Sequence, residues 1–489
     1  ELLKTIQLAE IFPDSKTFVD LHQMNDPEIT LSKYVNENFA SSNELVNWTL
    51  PDWTESPSIL KRINEAKYRE WAKHLNEIWK ELARKINPEV AEYPERHSLI
   101  YVDNGFIVPG GRFKEFYYWD SYWVIEGLLL SDMYQTARGM IDNFLYMVKK
   151  YGFIPNGGRI YYLMRSQPPL LHLMVRLSLN SFIFLRQKEY FHIIKMCYLN
   201  INIPILSSNI NLVPTNTYVR NTLFSLFNIR EDYLMAQRIP EKSRDFFYNN
   251  IKAGAESGWD FSNRWFIRNN NSSTLSLYNI STQYIIPVDL NAILQQNARL
   301  LGEFHTLLGN NAKSQYYQKI ASQLQTAIDN ILWNEADGIW LDYDLKNQRP
   351  RHMFYPSNLA PLYTKSYNRG QRNSFNRIRF HFFPAGGTPT SLNHTGEQWD
   401  FPNAWPPLQS FIVMGLHWTG VREAMDFAHE LAFRWLAANY AGYKETGQMF
   451  EKYDSIVPGQ GGGGGEYNVQ TGFGWTNGVV LEFLNTFSS

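Results

Sequence analysis

The sequence predicts an all-α fold, a barrel or toroid of helical hairpins with long functional loops at one end. From about Ser121 onward, apolar residues recur at three- and four-residue spacing, and alternating β-branched runs are scarce. The periodic stretches arrive in pairs, as helical hairpins do. Between the pairs lie segments rich in Gly, Pro, Asn and aromatic residues that exceed ordinary connector length, and such loops in a compact domain are usually functional.

The elements follow one another without a domain linker. The clearest periodic stretches occupy residues 121–150, 290–309, 312–333 and 424–442. The long loops occupy residues 152–169, 254–265, 396–407 and 452–475. No Ser/Gly-rich or charged segment separates two units. We therefore expect a helical extension formed by residues 1–100, packed on a barrel formed by residues 101–489.

Charge and composition favour a small neutral partner. The 46 basic and 47 acidic residues leave a formal charge of −1, so no global field favours nucleic acid or an anionic membrane. No stretch of about 18 uncharged apolar residues is present, so no transmembrane segment is predicted. Cys197 is the single cysteine, which excludes an intrachain disulfide. We expect the protein to act as a monomer.

Glycosylation sequons indicate a secreted protein, with or without a membrane tether outside these residues. An N-x-S/T triplet without proline is the acceptor for N-linked sugars and lies on the surface of secreted proteins. Five asparagines begin such a triplet: Asn47, Asn270, Asn271, Asn279 and Asn393.

Three long loops share a Trp-Asp pair: Trp119 with Asp120, Trp259 with Asp260, and Trp399 with Asp400. Ring faces stack on the C–H faces of sugars, while planar amides, carboxylates and guanidinium groups bind hydroxyls, so these loops favour a carbohydrate ligand. The alternative is that each pair is a helix cap beside a core ring. Three such pairs in loops of similar composition favour the carbohydrate.

Hydrolysis of a glycosidic bond needs two carboxyl groups, one protonated and one ionised. The unusual loops offer six candidates: Asp120, Asp260, Asp400, Glu451, Asp454 and Glu466. Spacing along the chain does not give distances in space, so the residues alone leave the choice open.

Several segments resemble one known family. PGGRFKEFYYWDSYW at residues 109–123 and QWDFPNAWPP at residues 398–407 strongly resemble the two signature segments of trehalases, the α,α-trehalose hydrolases. The segments IFPDSKTFVD, RSQPP, ESGWDFSNRW and MFEKYD followed by GGGGGEY are similar too. The resemblance spans nearly the whole chain, is weakest at residues 170–252, and is greatest to the animal, particularly insect, branch. It implies an (α/α)6 barrel, trehalose as substrate, glucose as product, an inverting mechanism and no cofactor or metal.

The resemblance also assigns the chemistry. Asp260 matches the general acid and Glu451 the general base. Asp260 then needs a raised pKa to carry a proton near neutral pH. Inversion leaves room for a water, so the two carboxyl groups are expected about 6.5 to 9.5 Å apart.

Further positions match the sugar-binding residues of the family. They are Arg112, Phe113, Trp119, Asp120, Asn156, Arg165, Ser166, Gln167, Gly258, Trp405 and Glu466. Glu115 is expected in a structural salt bridge instead, and the run Gly461 to Gly465 as a lid that closes over the sugar.

The chain departs from the family at one place. Ser225, Leu226 and Phe227 stand where trehalases carry Arg-Pro-Glu, so a guanidinium and a carboxylate expected at the sugar are missing. Two alternatives therefore stay open: a catalytically impaired trehalose-binding relative, and an inverting α-glucosidase for another disaccharide. A purely structural helical scaffold would leave the aromatic and acidic loops unexplained.

Overall fold

A computed structural model describes residues 2–12, 14–26, 39–40, 43–181, 229–268, 275–373, 384–465 and 467–488. Within these ranges the α-helices are α1 (Leu2–Leu8), α2 (Ser15–Val19), α3 (Ala66–Leu82), α4 (Glu89–Glu92), α5 (Asp120–Leu130), α6 (Tyr134–Tyr151), α7 (Leu171–Ser181), α8 (Ile229–Gln237), α9 (Arg244–Glu256), α10 (Val288–Leu307), α11 (Asn311–Ala327), α12 (Ala360–Thr364), α13 (Pro406–Trp418), α14 (Arg422–Thr446) and α15 (Gly474–Phe487).

The strands are short and antiparallel. They are β1 (His22–Gln23), β2 (Phe39–Ala40), β3 (Leu45–Asn47), β4 (Ala83–Ile86), β5 (Phe106–Ile107), β6 (Ile285–Ile286), β7 (Trp333–Asn334), β8 (Ile339–Trp340), β9 (Tyr343–Asp344), β10 (Arg349–Pro350), β11 (Asn403–Ala404) and β12 (Tyr453–Asp454). β1 pairs with β2, β4 lies between β3 and β5, β9 lies between β6 and β10, β7 pairs with β8, and β11 pairs with β12.

Six inner helices form a closed ring. Going around it, α5 packs against α7, α7 against α10, α10 against α12, α12 against α13, α13 against α15, and α15 back against α5. Outside the ring, α6 packs on α5 and α7, α11 on α10, α14 on α13 and α15, and α3 on α15. The prediction of an all-α barrel built from helical hairpins is confirmed.

Burial distinguishes the inner helices from the outer ones. The inner helix α13 is buried from Pro406 to Leu416 without a break, and α15 from Gly474 to Leu484. The outer helix α3 buries one face only, with Trp71, Leu75 and Trp79 at four-residue spacing. An outer helix keeps a solvated face, so its apolar residues form a stripe, whereas an inner helix is covered all round. No helix in the described ranges has both the length and the apolar character to span a bilayer.

Two glycines allow α5 and α15 to close the ring. A Cβ at Gly478 of α15 would lie 2.0 Å from the carbonyl oxygen of Trp123 in α5. A Cβ at Gly127 of α5 would lie 2.7 Å from the ring of Trp79 and 3.0 Å from the Cα of Gly478. The two helices therefore pack backbone against backbone, at a distance that a side chain would not allow.

We expect Gly478→Ala to lower the free energy of unfolding by roughly 1–3 kcal/mol, because the new methyl group overlaps a backbone oxygen that cannot rotate away. This steric cost acts against the usual gain of about 1 kcal/mol for alanine over glycine in a helix. The measurement is urea denaturation followed by tryptophan fluorescence. Gly463→Ala is the control, since no heavy atom lies within 4 Å of its Cβ position. Equal stability of G478A and the wild type would contradict the close packing.

Candidate active site

A single cleft collects most of the residues singled out in the sequence. It contains about 540 Å³ of space that protein atoms do not fill, open solvent at its mouth included. Its lining consists of Phe113, Tyr117, Trp119, Asp120, Asn156, Tyr162, Arg165, Gln167, Ala255, Gly258, Asp260, Trp399, Trp405, Glu451, Tyr467, Phe473 and Trp475.

The inner helices place these residues through their amino-terminal ends. α5 begins at Asp120, α15 at Gly474 and α13 at Pro406, and each start lies beside residues of the lining. The first N–H groups of a helix have no partner within it and carry a partial positive charge, which favours negative groups nearby. The ring therefore directs the amino-terminal ends of α5 and α15 toward the acidic cleft, whereas Pro406 and Pro407 at the start of α13 carry no N–H group.

Stacked tryptophans form one wall. The rings of Trp399 and Trp405 are parallel within 3° and 3.9 Å apart, and Trp259 stacks on Trp399 at 5.5 Å. Trp119 lies 5.7 Å from both Trp399 and Trp475. These rings exclude water from the cleft, and flat ring faces suit the C–H face of a sugar.

Asp260 lies in the loop after α9. Burial raises the pKa of its carboxyl group to about 7, and the charge of Glu451 adds to the rise. Arg165 and Lys452 oppose the rise. Gly258, two residues earlier, adopts a φ of +82°, and a Cβ there would lie 3.0 Å from the ring of Trp119. A glycine is therefore required for the loop to pass this close to the wall.

Glu451 is buried and held in place on both carboxylate oxygens. The hydroxyl of Tyr467 donates to Oε1 at 2.8 Å, and the N–H of Gln470 donates to Oε2 at 3.3 Å. The indole of Trp475 donates to the Glu451 carbonyl at 2.9 Å. Burial raises the pKa of Glu451 above its ordinary value, and Lys452, the Tyr467 hydroxyl and the Gln470 N–H act against the rise.

A third carboxyl group, Asp120, shares the cleft. Burial raises its pKa to about 8, and the charges of Glu451 and Asp260 contribute to the rise. Near neutral pH the cleft therefore holds protonated and ionised carboxyl groups side by side. That arrangement can deliver a proton to one atom while accepting a proton from another.

The sequence-predicted site residues are placed as follows. Phe113, Trp119, Asp120, Asn156, Arg165, Gln167, Gly258, Asp260, Trp405 and Glu451 line the cleft. Two lie beside it. The Arg112 guanidinium is 5.0 Å from the Tyr467 ring, whereas the Ser166 hydroxyl donates to the carbonyl of Ile154 and supports the loop from behind. Glu466 and the segment from Ser225 to Phe227 lie outside the described residues.

Polar contacts fix the side chains of the cleft floor. Arg165 donates from Nε to Asn156 Oδ1 at 3.2 Å, and Gln167 Oε1 accepts the backbone N–H of Trp119 at 3.1 Å. The backbone N–H of Arg112 donates to Gln470 Oε1 at 2.8 Å.

Other acidic residues of the loops have structural partners. Asp400 accepts from the Ser262 hydroxyl and the Asn263 N–H, each at 2.8 Å, and so joins two loops. Asp454 accepts the N–H groups of Ile456 and Val457 in a turn.

The predicted salt bridge of Glu115 is confirmed. Lys16 Nζ lies 2.8 Å from Glu115 Oε1, and Arg159 Nε lies 3.4 Å from Oε2. Although burial alone would raise the pKa of Glu115, these two cations hold it below its ordinary value. Tyr117, a lining residue, donates to the same carboxylate at 2.6 Å. The N-terminal segment therefore supports one wall of the cleft.

Trp399 was noted in the sequence only through its pair with Asp400, and six further lining residues were not singled out from the sequence: Tyr117, Tyr162, Ala255, Tyr467, Phe473 and Trp475. Tyr467 directly follows the GGGGGE run, and Phe473 and Trp475 end the same long loop. The aromatic content of that loop is the sequence feature that could have identified these three residues as part of the site.

The family model and the most similar curated proteins indicate the same family. A family model described as trehalase matches residues 14–488. The trehalase of Pimpla hypochondriaca is 51% identical over 100% of this chain and 88% of its own length. The trehalases of Tenebrio molitor and Homo sapiens are 44% and 42% identical over 100% of this chain, covering 94% and 88% of their own lengths.

Solved structures share the fold. The neutral trehalase of Saccharomyces cerevisiae superposes with a TM-score of 0.62 at 23% identity, over 78% of this chain and 73% of its own. A mannosylglycerate hydrolase from Thermus thermophilus superposes with a TM-score of 0.54 at 16% identity, over 84% of this chain and 98% of its own.

Proposed function

The chain belongs to the trehalase family, and from that premise we propose how its cleft hydrolyses α,α-trehalose. Trehalases share 42 to 51% identity with the chain over its full length. The chain is a glycoside hydrolase that splits trehalose into two molecules of glucose. One observation carries the proposed mechanism: two carboxyl groups in different electrostatic surroundings, the half-buried Asp260 and the buried Glu451, line the same aromatic cleft.

Asp260 is the general acid. With a pKa of about 7 it keeps a proton near neutrality, and it gives that proton to the glycosidic oxygen as the bond to the anomeric carbon breaks. The departing sugar leaves with a neutral hydroxyl group.

Glu451 is the general base. Its carboxylate accepts from Tyr467 and Gln470, which keeps it oriented, and it takes a proton from a water as the water oxygen attacks the anomeric carbon. The water approaches from the face opposite the leaving oxygen, so the configuration inverts. The two carboxyl groups are expected about 6.5 to 9.5 Å apart to hold that water.

The remaining residues bind the sugar. Asp120, Asn156 and Gln167 present polar groups to the sugar hydroxyls. The positive charge of Arg165 acts on Asp260, and that of Arg112 acts on Glu451. Phe113, Trp119 and Trp405 form the walls of the sugar site. Glu466 is a further proposed sugar contact. Ser166 holds the loop that carries Arg165 and Gln167. No step requires a cofactor.

We also propose that the protein is secreted, glycosylated and monomeric. Asn47 and Asn393 begin sequons and are exposed. Asn279 is half-buried, and its side chain accepts a hydrogen bond from the N–H of Ser276, which makes it a poorer site for attachment of an N-linked sugar. Asn270 and Asn271 lie outside the described residues.

Product stereochemistry tests the reaction directly. On incubation of the protein with trehalose, proton NMR before mutarotation should show equal initial amounts of α- and β-glucose, since inversion changes one of the two anomeric centres. Only α-glucose would indicate retention. Maltose and sucrose in parallel reactions test the alternative of another disaccharide, and absence of glucose from folded protein would favour the impaired sugar binder.

Replacing either proposed catalytic carboxyl should lower kcat by about a hundred- to ten-thousandfold, because Asp260→Asn cannot donate the proton and Glu451→Gln cannot accept one. Asp120→Asn should act mainly on KM, as expected of a sugar contact. The controls are Asp245→Asn and Glu445→Gln, which change exposed carboxylates in α9 and near the end of α14. The measurement is kcat and KM of each variant by steady-state kinetics with trehalose. A near-normal kcat in D260N or E451Q would reject the proposed role of that residue.

The pH dependence of kcat/KM should be bell-shaped. Activity requires protonated Asp260, so it falls as pH rises through about 7. It also requires ionised Glu451, whose pKa is raised from 4.5, so the acidic fall begins above that value. Initial rates at low trehalose concentration across pH 4 to 9 define the acidic and the alkaline limb of the kcat/KM profile. An activity that keeps rising above pH 8 would be incompatible with Asp260 as the acid.

A further inference from the structure

The residue after the proposed base carries a buried positive charge. Lys452 is fully buried, and its ammonium donates to the carbonyl oxygens of Gly463 at 3.0 Å and Gly464 at 3.3 Å. It also donates to Gln398 Oε1 at 3.3 Å and lies 5.1 Å from the centre of the Trp405 ring. Burial of an ammonium is costly unless it is paired, and here carbonyl and amide oxygens and a ring compensate it.

The backbone contacts of the glycine run lie around the same point. The N–H of Gly463 donates to Asn403 Oδ1 at 2.9 Å, and the N–H of Gly465 donates to the carbonyl of Gly396 at 3.1 Å. The run Gly461 to Gly465 therefore lies closed against the segment 396–403, which carries part of the tryptophan wall.

Close packing explains the last two glycines of the run. A Cβ at Gly464 would lie 2.5 Å from the Gly396 carbonyl oxygen, and one at Gly465 would lie 2.6 Å from the Cβ of Gln398. Both glycines have positive φ, +73° and +80°. A side chain at either position would push the run away from the segment beneath it.

The charge of Lys452 also acts on both proposed catalytic carboxyls, Asp260 and Glu451. Gln398, which accepts from the ammonium, donates through Nε2 to the backbone carbonyl of Asp260. Burial lowers the pKa of Lys452 to about 8, with the two carboxylates opposing the decrease, so the ammonium persists at neutral pH. The other charged or titratable groups acting on these carboxyls are Arg112, Arg165, Asp120 and Tyr467.

We propose that Lys452 is a positioning residue for the reaction: its ammonium holds the glycine run against the segment 396–403 and supplies positive charge to both catalytic carboxyls. The proposal rests on the proposed function and deepens it. The fixed run leads to the segment in which Tyr467 and Gln470 bind Glu451. One cation therefore joins the placement of the glycine run to the charge balance of the acid and the base.

The principal variant is Lys452→Met, which keeps the length of the side chain and removes the charge. Hydrogen exchange without sugar should be severalfold faster at residues 461–465, because the two carbonyl contacts are lost. We expect kcat/KM for trehalose to fall by about a hundredfold, in line with the loss of precise placement. Both limbs of the pH profile should move to higher pH, since loss of a nearby cation raises the pKa of each carboxyl group.

Matched variants separate charge from closure. Lys444→Met, an exposed lysine in the last turn of α14, is the control and should match the wild type. Gly464→Ala should speed exchange and raise KM but leave the pH limbs in place, because it displaces the run while Lys452 keeps its charge. Lys452→Arg keeps the cation and should keep the pH limbs even where kcat falls. G464A and K452R also test the proposal if K452M does not fold.

The outcomes distinguish this inference from the proposed function. A wild type without activity on trehalose would reject the function, while the exchange measurement, made without sugar, would still test the contact with the glycine run. An active wild type together with a K452M variant that has unchanged exchange and unchanged pH limbs, and only a lower melting temperature, would show Lys452 to be a packing residue and overturn the proposal.

Discussion

The cleft depends on one constraint: three carboxyl groups, Asp120, Asp260 and Glu451, share a space lined by aromatic rings. Burial disfavours the charged form of each group and raises its pKa, and neighbouring carboxylates add to the rise at Asp120 and Asp260. Arg165 and Lys452 oppose the rise at Asp260, and Lys452 and Arg112 oppose it at Glu451. The proposed chemistry requires the balance between desolvation and these cations.

Several loops hold this balance together. Asp400 joins the loop of Asp260 to the tryptophan wall, and the pairing of β11 with β12 joins that wall to the segment after Glu451. Lys16 reaches the same region from the N-terminal segment, through Glu115 and Tyr117. The site therefore belongs to no single loop. A displacement in one loop changes the surroundings of carboxyl groups carried by the others.

Periodicity alone was enough to predict α5, α6, α10, α11 and α14, but not the other helices or the arrangement of the ring. The stretch 121–150 became two helices with a break at residues 131–133, and the ring closure between α5 and α15 left no local signal, because it joins residues far apart in sequence. Asp260 and Asp400 both follow a tryptophan, yet only Asp260 reaches the cleft. The dipeptide carries no information on the partners that Ser262 and Asn263 supply. Lys452 belongs to the FEKYD segment noted in the sequence, but its burial depends on contacts with the glycine run 461–465 that the sequence does not show.

The closure of the ring by its first and last helices has a consequence for biosynthesis. While the ribosome is still making the chain, part of the apolar surface of α5 stays uncovered, because its partner α15, residues 474–487, is made after the other inner helices. The barrel and the cleft, which needs Phe473 and Trp475, can be completed only after these residues have emerged. A chain that stopped before Gly474 would lack an inner helix, and the unfinished chain would be a natural client for chaperones that shield exposed apolar surface.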